Sequence, residues 1–480
     1  MKKWIKKSGF NLYHGLAFVA GLAMMMFELV AARILAPTIG SSTYVWTSVI
    51  GVIIAALSLG YWAGGRMADA RNRKFDLALL NLLAAAAVLL TLMIGDAVLH
   101  GIGASRYDLR LQGMAASIVL FAPASFVIGM LSPYLAKLNI SSLKTSAQAV
   151  AGLSSCNAVG SIVGTLLTGF VLFGLIGSRW IMVAVVAIFI VAHWTVEPWK
   201  RAVTRSILTA AMAVAAILSL ADRQRVVDID TATAHYQVMD ILYDGREARA
   251  LLTSPGVTQS AVYKDDSGDL AFWYTRQMAR VVAAANRPGS ILVIGGGAMT
   301  LPAYLARKYP ETRVDVVDID PGLVEIARKY FAYDDPANVN FIANDGRAYV
   351  QQTGQKYDIV LVDAYNGSDI PWSLTTEEYA GAIKRITTGD GVVAVNVIAN
   401  TAGECAPLLG AIDAAYQGQL GKGVYRKRSP MDDREATSMV IVYGWKKKPL
   451  AEYAELNMGE TRAFTDDFAP IEPLQLKCVG

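Results

Sequence analysis

Ile291-Leu-Val-Ile-Gly-Gly-Gly-Ala-Met-Thr300, followed by Val314-Asp-Val-Val-Asp-Ile-Asp320, decides the fold of the C-terminal half of this chain. The first four residues are apolar without alternation, as in a strand buried on both faces. Three glycines then permit a tight turn and close approach of a ligand to the backbone. A helical stretch follows, and the second apolar run ends in acids. Strand, glycine turn, helix and acid-tipped strand are how a Rossmann-type domain holds an adenosine-containing ligand. This arrangement lies behind some 220 residues of apolar sequence.

Downstream of that stretch, strands and helices alternate. Strand 290–294, helix 299–308, strand 313–318, helix 321–331, strand 339–342, a helix near 346–352, strand 357–362, helix 375–386 and strand 391–398 predict a parallel doubly wound sheet. A helix at 405–417 and strands at 423–427 and 437–444 continue it. Upstream, short alternating runs between 226 and 275, separated by turns such as Asp244-Gly245, predict a small antiparallel sheet. The pattern turns helical from Phe272 to Ala285. The expected domains are 1–222, a membrane domain of about seven helices; 223–285, a small β-rich substrate-entry subdomain; and 286–480, a Rossmann-like nucleoside-binding catalytic domain.

The first half has a different solvent. The chain of 480 residues is 54% hydrophobic and 18% charged, too apolar for an ordinary soluble protein. Its formal charge of +4 is small and spread over the ends of apolar runs, so nucleic acid is not an expected partner. Runs long enough to cross a bilayer lie near 10–32, 44–64, 76–99, 114–136, 150–176, 180–196 and 204–221. Gly160-Ser-Ile-Val-Gly164 matches the small-xxx-small pattern of close helix packing. Counting Lys and Arg at the flanks gives 13 on the N-terminal side of the membrane and six on the other, which places the N-terminus in the cytoplasm. Seven crossings would carry the C-terminal half outside. Because adenosine sulfonium compounds are expected inside cells, the catalytic domain of this integral (cell or inner) membrane protein is expected on the cytoplasmic face, with 204–221 in the interface. Glu28 and Arg33 end the first run and read as a helix-end ion pair or headgroup contact, or as the mark of a transport path. His14, His100 and His193 read as interfacial. Cys156, Cys405 and Cys478 show neither metal spacing nor a disulfide framework.

Acids gather at the carboxyl ends of the strands, where ligands bind in this architecture. Asp318 lies 21 residues after Gly297, placed to accept both ribose hydroxyls. Asn344-Asp345-Gly346 ends the third strand, where a carboxylate can accept an adenine amine, and Asp363 ends the fourth. The turn lacks the dinucleotide spacing, because residues 298–300 are Ala-Met-Thr, and no phosphate-binding lysine loop is present. A nucleoside with a small tail, such as an S-adenosyl compound, fits better.

With these residues in hand, the sequence resembles the spermidine synthases, or polyamine aminopropyltransferases, and more closely their membrane-fused members. The resemblance covers about 235–400 and rests on Tyr236-Gln237, Leu252…Gly256-Val-Thr-Gln259, Tyr274, Ile294-Gly-Gly-Gly297, Val317-Asp-Ile-Asp320, Asn344-Asp-Gly346, Val362-Asp363 and Leu374-Thr-Thr-Glu-Glu-Tyr379. Gly64-Gly-Arg-Met-Ala-Asp69 looks like a loop of the fused members. The resemblance implies that Asp318 holds the ribose, Asp345 with Gly346 the adenine, and Gly295 and Gly297 the ligand turn, with Gln237 and Gln259 lining the nucleoside site. It implies catalytic roles for Asp363 and Tyr274, Asp363 orienting and deprotonating an amine that displaces 5′-methylthioadenosine. The sulfonium substrate would be S-adenosylmethionine or its decarboxylated form, and no metal is called for.

Two positions depart from the family pattern. Ala298 stands where the family has an acid for the cationic tail, and Asn366 replaces a second acid in Asp363-Ala-Tyr-Asn-Gly367. An alternative enzyme would therefore use intact S-adenosylmethionine as a lyase, cyclase or methyltransferase. A third reading is a non-catalytic membrane transporter or sensor that binds the nucleoside. Expected partners are the sulfonium substrate, an amine acceptor and the lipid bilayer; a homo-oligomer is compatible with the sequence but no residue argues for it.

Overall fold

The structure, a computed structural model, describes residues 11–478 apart from 41–42, 72, 104–108, 141, 197–201, 219–226, 255–256, 266, 286–287, 366–369, 429–436 and 447–451. The basic segment 2–7, the turn glycine at 256 and Asn366 therefore lie outside the described residues. The chain divides into two compact units, 1–236 and 237–480.

The N-terminal unit is helical. Leu12–Ile39, Thr43–Ala70, Lys74–Gly103 and Ser178–Val196 are long apolar helices. Ser146–Leu167 continues through a π-helical turn at Thr168–Leu172. Among the described residues, five helices are long and apolar enough to cross a membrane, a bent pair makes a sixth such element, and Arg205–Ile217 is a shorter apolar helix. The stretch expected as one span near 114–136 is that bent pair, Leu109–Leu120 and Ala122–Asn139, angled by 53°. Proline in the first turn of the second helix explains the break: its ring and missing N–H interrupt the hydrogen-bond ladder.

Small residues set the helix contacts. A Cβ on Gly160 would stand 2.0 Å from the Phe18 carbonyl oxygen, and one on Gly164 2.5 Å from that of Leu22. Gly60 meets the Phe126 carbonyl in the same way, at 2.2 Å. Backbone approaches this close admit no side chain, so the small-xxx-small motif is a packing device here. His14 and His193 are buried among the helices: His14 caps the first helix with Asn11, and His193 Nδ1 lies 2.6 Å from the Ala78 carbonyl.

Arg33 does not pair with Glu28. Its guanidinium donates to the carbonyls of Thr231 and Ala232 at 2.7 Å each and stacks on Phe173. The same corner holds Asp230, which accepts from the Ser178 N–H and lies 2.9 Å from His235 Nδ1. Burial alone would lower the His235 pKa, but the carboxylates of Asp228 and Asp230 push it up to about 9. A protonated imidazole between two acids thus ties the segment after the helices to their ends.

The C-terminal unit opens with an antiparallel ribbon. Strand β1 (Val227–Asp230) belongs to the preceding unit, and β2 (His235–Tyr243) enters this one. It pairs with β3 (Arg246–Ser254), which pairs with β4 (Val257–Tyr263). Helix Trp273–Ala284 follows. The main sheet contains β5 (Ser290–Ile294), β6 (Arg313–Asp318), β7 (Val339–Ala343), β8 (Tyr357–Val362), β9 (Thr387–Ala399), β10 (Val424–Lys427), β11 (Thr437–Tyr443) and β12 (Ala454–Glu455). Their order is β12-β10-β11-β9-β8-β5-β6-β7, with β9, β8, β5, β6 and β7 parallel. Alternate residues feed two cores: Leu292, Ile294, Val360 and Val362 on one face, Ile291, Val293, Ile359 and Leu361 on the other. Burial on both faces is why these strands read as unbroken apolar runs. The sequence predicts β9 from 391; the strand starts at Thr387, which pairs with Tyr357 before a register shift skips residues 388–391 and pairing resumes at Val392 opposite Ile359.

One expectation is overturned. Cys405 and Cys478, 73 residues apart, form a disulfide. Spacing along the chain carries no sign of it, since only the packing of the C-terminal segment against the helix at Ala406–Leu420 brings the two sulfurs together.

Candidate active site

The parallel strands change direction of winding between β5 and β8. β5 lies between β6 and β8, so its carboxyl end opens the crevice where ligands bind in doubly wound sheets. The glycine turn occupies that end. Gly295 has φ +95°, and a Cβ there would lie 2.1 Å from the Asp363 carbonyl oxygen. The Asp363 N–H in turn donates to the Ile294 carbonyl at 2.8 Å. Turn and acid are therefore locked together by backbone contact that only glycine permits.

Gly297 has φ +50°, and its Cβ position is 2.4 Å from Ser260 Oγ. That hydroxyl accepts from the buried Ala298 N–H at 3.0 Å. Ser260, on β4, thus buttresses the turn from the antiparallel ribbon; no motif in the sequence marks it. The neighbouring Gln259 carries a buried side-chain oxygen with no hydrogen-bond partner among the described residues. A buried acceptor left unsatisfied costs free energy, so it suits a donor supplied by a ligand. Gln237, also expected at the site, lies on β2 opposite Leu252 of β3.

Asp318 closes the back of the turn. Its Oδ2 accepts from the Gly296 N–H at 2.7 Å and its Oδ1 from the Asp320 N–H at 3.0 Å. Burial raises its pKa, opposed by those backbone N–H groups. Carboxylate oxygens accept more than one hydrogen bond each, so ribose hydroxyls can still be received. The end of β7 is tied to the same residue, Asn344 N–H donating to the Asp318 carbonyl at 3.0 Å. Asp345 is exposed and caps helix Gly346–Gln352, its Oδ1 accepting from Ala348 N–H at 2.8 Å. Gly346 packs on Ile294, where a Cβ would stand 2.7 Å from Cγ2.

Asp363 is the residue with the most unusual surroundings. Burial pushes its pKa up to about 7, against hydrogen bonds from Asn396 and Tyr274 that favour the charged form. Asn396 Nδ2 donates to Asp363 Oδ1 at 2.9 Å, and its own Oδ1 accepts from Ser438 at 3.1 Å. The Tyr274 phenol is held well above its ordinary value by burial and then by the Asp363 charge, so it stays a neutral donor. Asn396 was missed in the sequence. Its signal is a lone amide in the apolar run Val392-Val-Ala-Val-Asn-Val397. Tyr365 adds a brace, donating to the Asn396 carbonyl and accepting from Ile398 N–H, both at 3.0 Å. The cluster can hold a nucleoside by its glycine turn and Asp318, and can accept a proton at Asp363.

Residues 271–401 match the spermine/spermidine synthase domain. Over this segment the chain is similar to the spermidine synthase-like family. The polyamine aminopropyltransferase of Vibrio vulnificus (strain CMCP6) is 34% identical over 147 residues, 30% of this chain and 49% of the relative. A probable polyamine aminopropyl transferase of Bifidobacterium longum (strain NCC 2705) is 32% identical over 139 residues, 29% of this chain and 30% of the relative. The chain spans about half or less of the length of these relatives. A probable spermidine synthase from Corynebacterium glutamicum ATCC 13032 superposes with a TM-score of 0.42 at 17% identity, covering 49% of this chain and 95% of that one. The matched segment includes Tyr274, the glycine turn, Asp318, Asp345, Asp363 and Asn396. Gln237, Gln259 and Ser260 lie before it.

Proposed function

We propose that the C-terminal unit transfers an aminopropyl group from decarboxylated S-adenosylmethionine to an amine acceptor, releasing 5′-methylthioadenosine. The observation that carries this is Asp363, a carboxylate poised near neutral pH beside the nucleoside turn and aimed by two donors. In the reaction the amine nitrogen forms a bond to the aminopropyl carbon while the carbon–sulfur bond breaks. The sulfur keeps the electron pair and becomes the neutral thioether, and the proton lost by nitrogen passes to Asp363. Sulfonium leaves readily, so positioning and deprotonation are what the protein adds. The relatives are aminopropyltransferases, which does not favour the lyase, methyltransferase or sensor readings.

Incubating purified full-length protein with decarboxylated S-adenosylmethionine and putrescine should yield methylthioadenosine and a longer polyamine in equal amounts. Methylthioadenosine from intact S-adenosylmethionine without an acceptor, or S-adenosylhomocysteine, would overturn the reading. Ala298 makes the intact compound the necessary control, since no acid at that position repels its carboxylate.

The N-terminal unit is proposed to sit in a bilayer, as an integral membrane domain. Its helices turn large apolar side chains outward, including Leu59, Trp62, Phe170, Val191 and Ile207, a surface that lipid covers and water does not. The disulfide Cys405–Cys478 favours an oxidising outer face for the C-terminal unit, against the cytoplasmic face expected from the substrate. An alkaline phosphatase fused to the C-terminus is expected to be active on that basis. An inactive phosphatase with a fluorescent green-protein fusion would return the unit to the cytoplasm.

A further inference from the structure

Four helices of the N-terminal unit line a partly open cavity of about 220 Å³. Into it project the polar side chains of Glu28, Tyr61, Ser132, Asn157 and Ser161. The remaining wall is aliphatic, with Met24, Leu57 and Ile128 among its residues. The void is not slack packing. On the same helices, Gly21 faces Asn157 and Gly160 faces Phe18 at distances that admit no side chain.

No described residue donates a hydrogen bond to Glu28 or forms an ion pair with it, and Arg33, five residues on, is engaged by Thr231 and Ala232. The side chains of Tyr61, Ser132 and Asn157 likewise make no hydrogen bond to another described residue. An acid set among apolar helices without a cationic neighbour is costly, and such residues mark sites where a cation is received. The space is far larger than the roughly 10–15 Å³ that one water requires, so a single dehydrated metal ion would leave it mostly empty. Among the described residues no group of three or more His, Cys, Asp or Glu is placed to hold a metal. One carboxylate, several neutral hydrogen-bonding groups and an aliphatic wall suit an ammonium on an alkyl chain.

We infer that the N-terminal unit binds a linear alkylammonium cation in this cavity, with its charged end on Glu28 and its methylenes against Met24, Leu57 and Ile128. The inference needs nothing from the proposed reaction, although that reaction consumes and produces molecules of the same class.

The test uses the full chain in nanodiscs with Asp363→Asn throughout, so that the C-terminal carboxylate cannot supply the signal. Radiolabelled putrescine and spermidine are the probes, read by scintillation proximity. Saturable binding is expected, weakened at least tenfold by Glu28→Gln and kept within threefold by Glu28→Asp. Ser132→Leu, which fills the void and leaves the charge in place, is expected to weaken it equally. Binding unchanged by Glu28→Gln and Ser132→Leu overturns the inference, as does absence of binding once Asp363→Asn is present. The second outcome leaves the aminopropyl-transfer reading standing, because that reading is decided by the product assay.

Discussion

Replacing Asp363 by asparagine is expected to lower aminopropyl transfer by about 10²–10⁴-fold, the usual contribution of a positioned general base. Asparagine preserves the shape that Tyr274 and Asn396 grip but cannot take a proton. Nucleoside affinity should stay within a few fold, because the turn and Asp318 are untouched. The wild type adds a pH signature. With its pKa at about 7, Asp363 is the active base above that value, so kcat should rise with pH through about 7 and level off. The linkage runs the other way for stability. A carboxyl whose folded pKa is raised from 3.8 to about 7 contributes stability that is fully present below pH 3.8 and lost as pH rises through about 7. At pH 8 the asparagine variant should therefore melt no lower than wild type. A variant that lost activity together with several degrees of melting temperature at pH 8 would make Asp363 a structural residue.

Asp318→Ala is expected to weaken nucleoside binding by at least tenfold to a hundredfold, since each hydrogen bond to a charged group is worth about 1.5–3 kcal/mol. Two losses combine. The ribose loses its acceptor, and the N–H groups of Gly296 and Asp320 lose theirs at 2.7 and 3.0 Å. Asp318→Asn separates them, because its amide oxygen can still accept one backbone N–H while the charge is gone. Calorimetry with methylthioadenosine should rank wild type above Asn above Ala. Unchanged affinity in the alanine variant would remove Asp318 from the nucleoside site. The same titration on Asp363→Asn provides the contrast, with binding retained and turnover lost.

Asp345 shows where a sequence motif and a structural role overlap. Its place at the end of β7 marked it for the adenine amine, and the fold uses it as the cap of the following helix. Both roles follow from one fact: strand ends in this architecture are helix starts, so a carboxylate there faces both ligand and N–H groups. Glu28 and Arg33 diverged for a different reason. Five positions apart on a helix, they point in different directions, one into a cavity and one toward the segment after the helices.

The amino-acid order by itself determined the elements and the chemistry at their ends. Apolar runs of bilayer length, the unbroken strand Ile291–Ile294, the glycine turn and the acids Asp318 and Asp363 are local signals, because helix and strand periods and glycine's dihedrals are properties of a few adjacent residues. Tertiary structure decided what meets across long separations. It placed β5 between β6 and β8, set Asn396 against Asp363 and Ser260 under Ala298, closed Cys405 on Cys478 and left Glu28 facing a void. None of these has a local signature, since each depends on which surfaces the packed cores bring together.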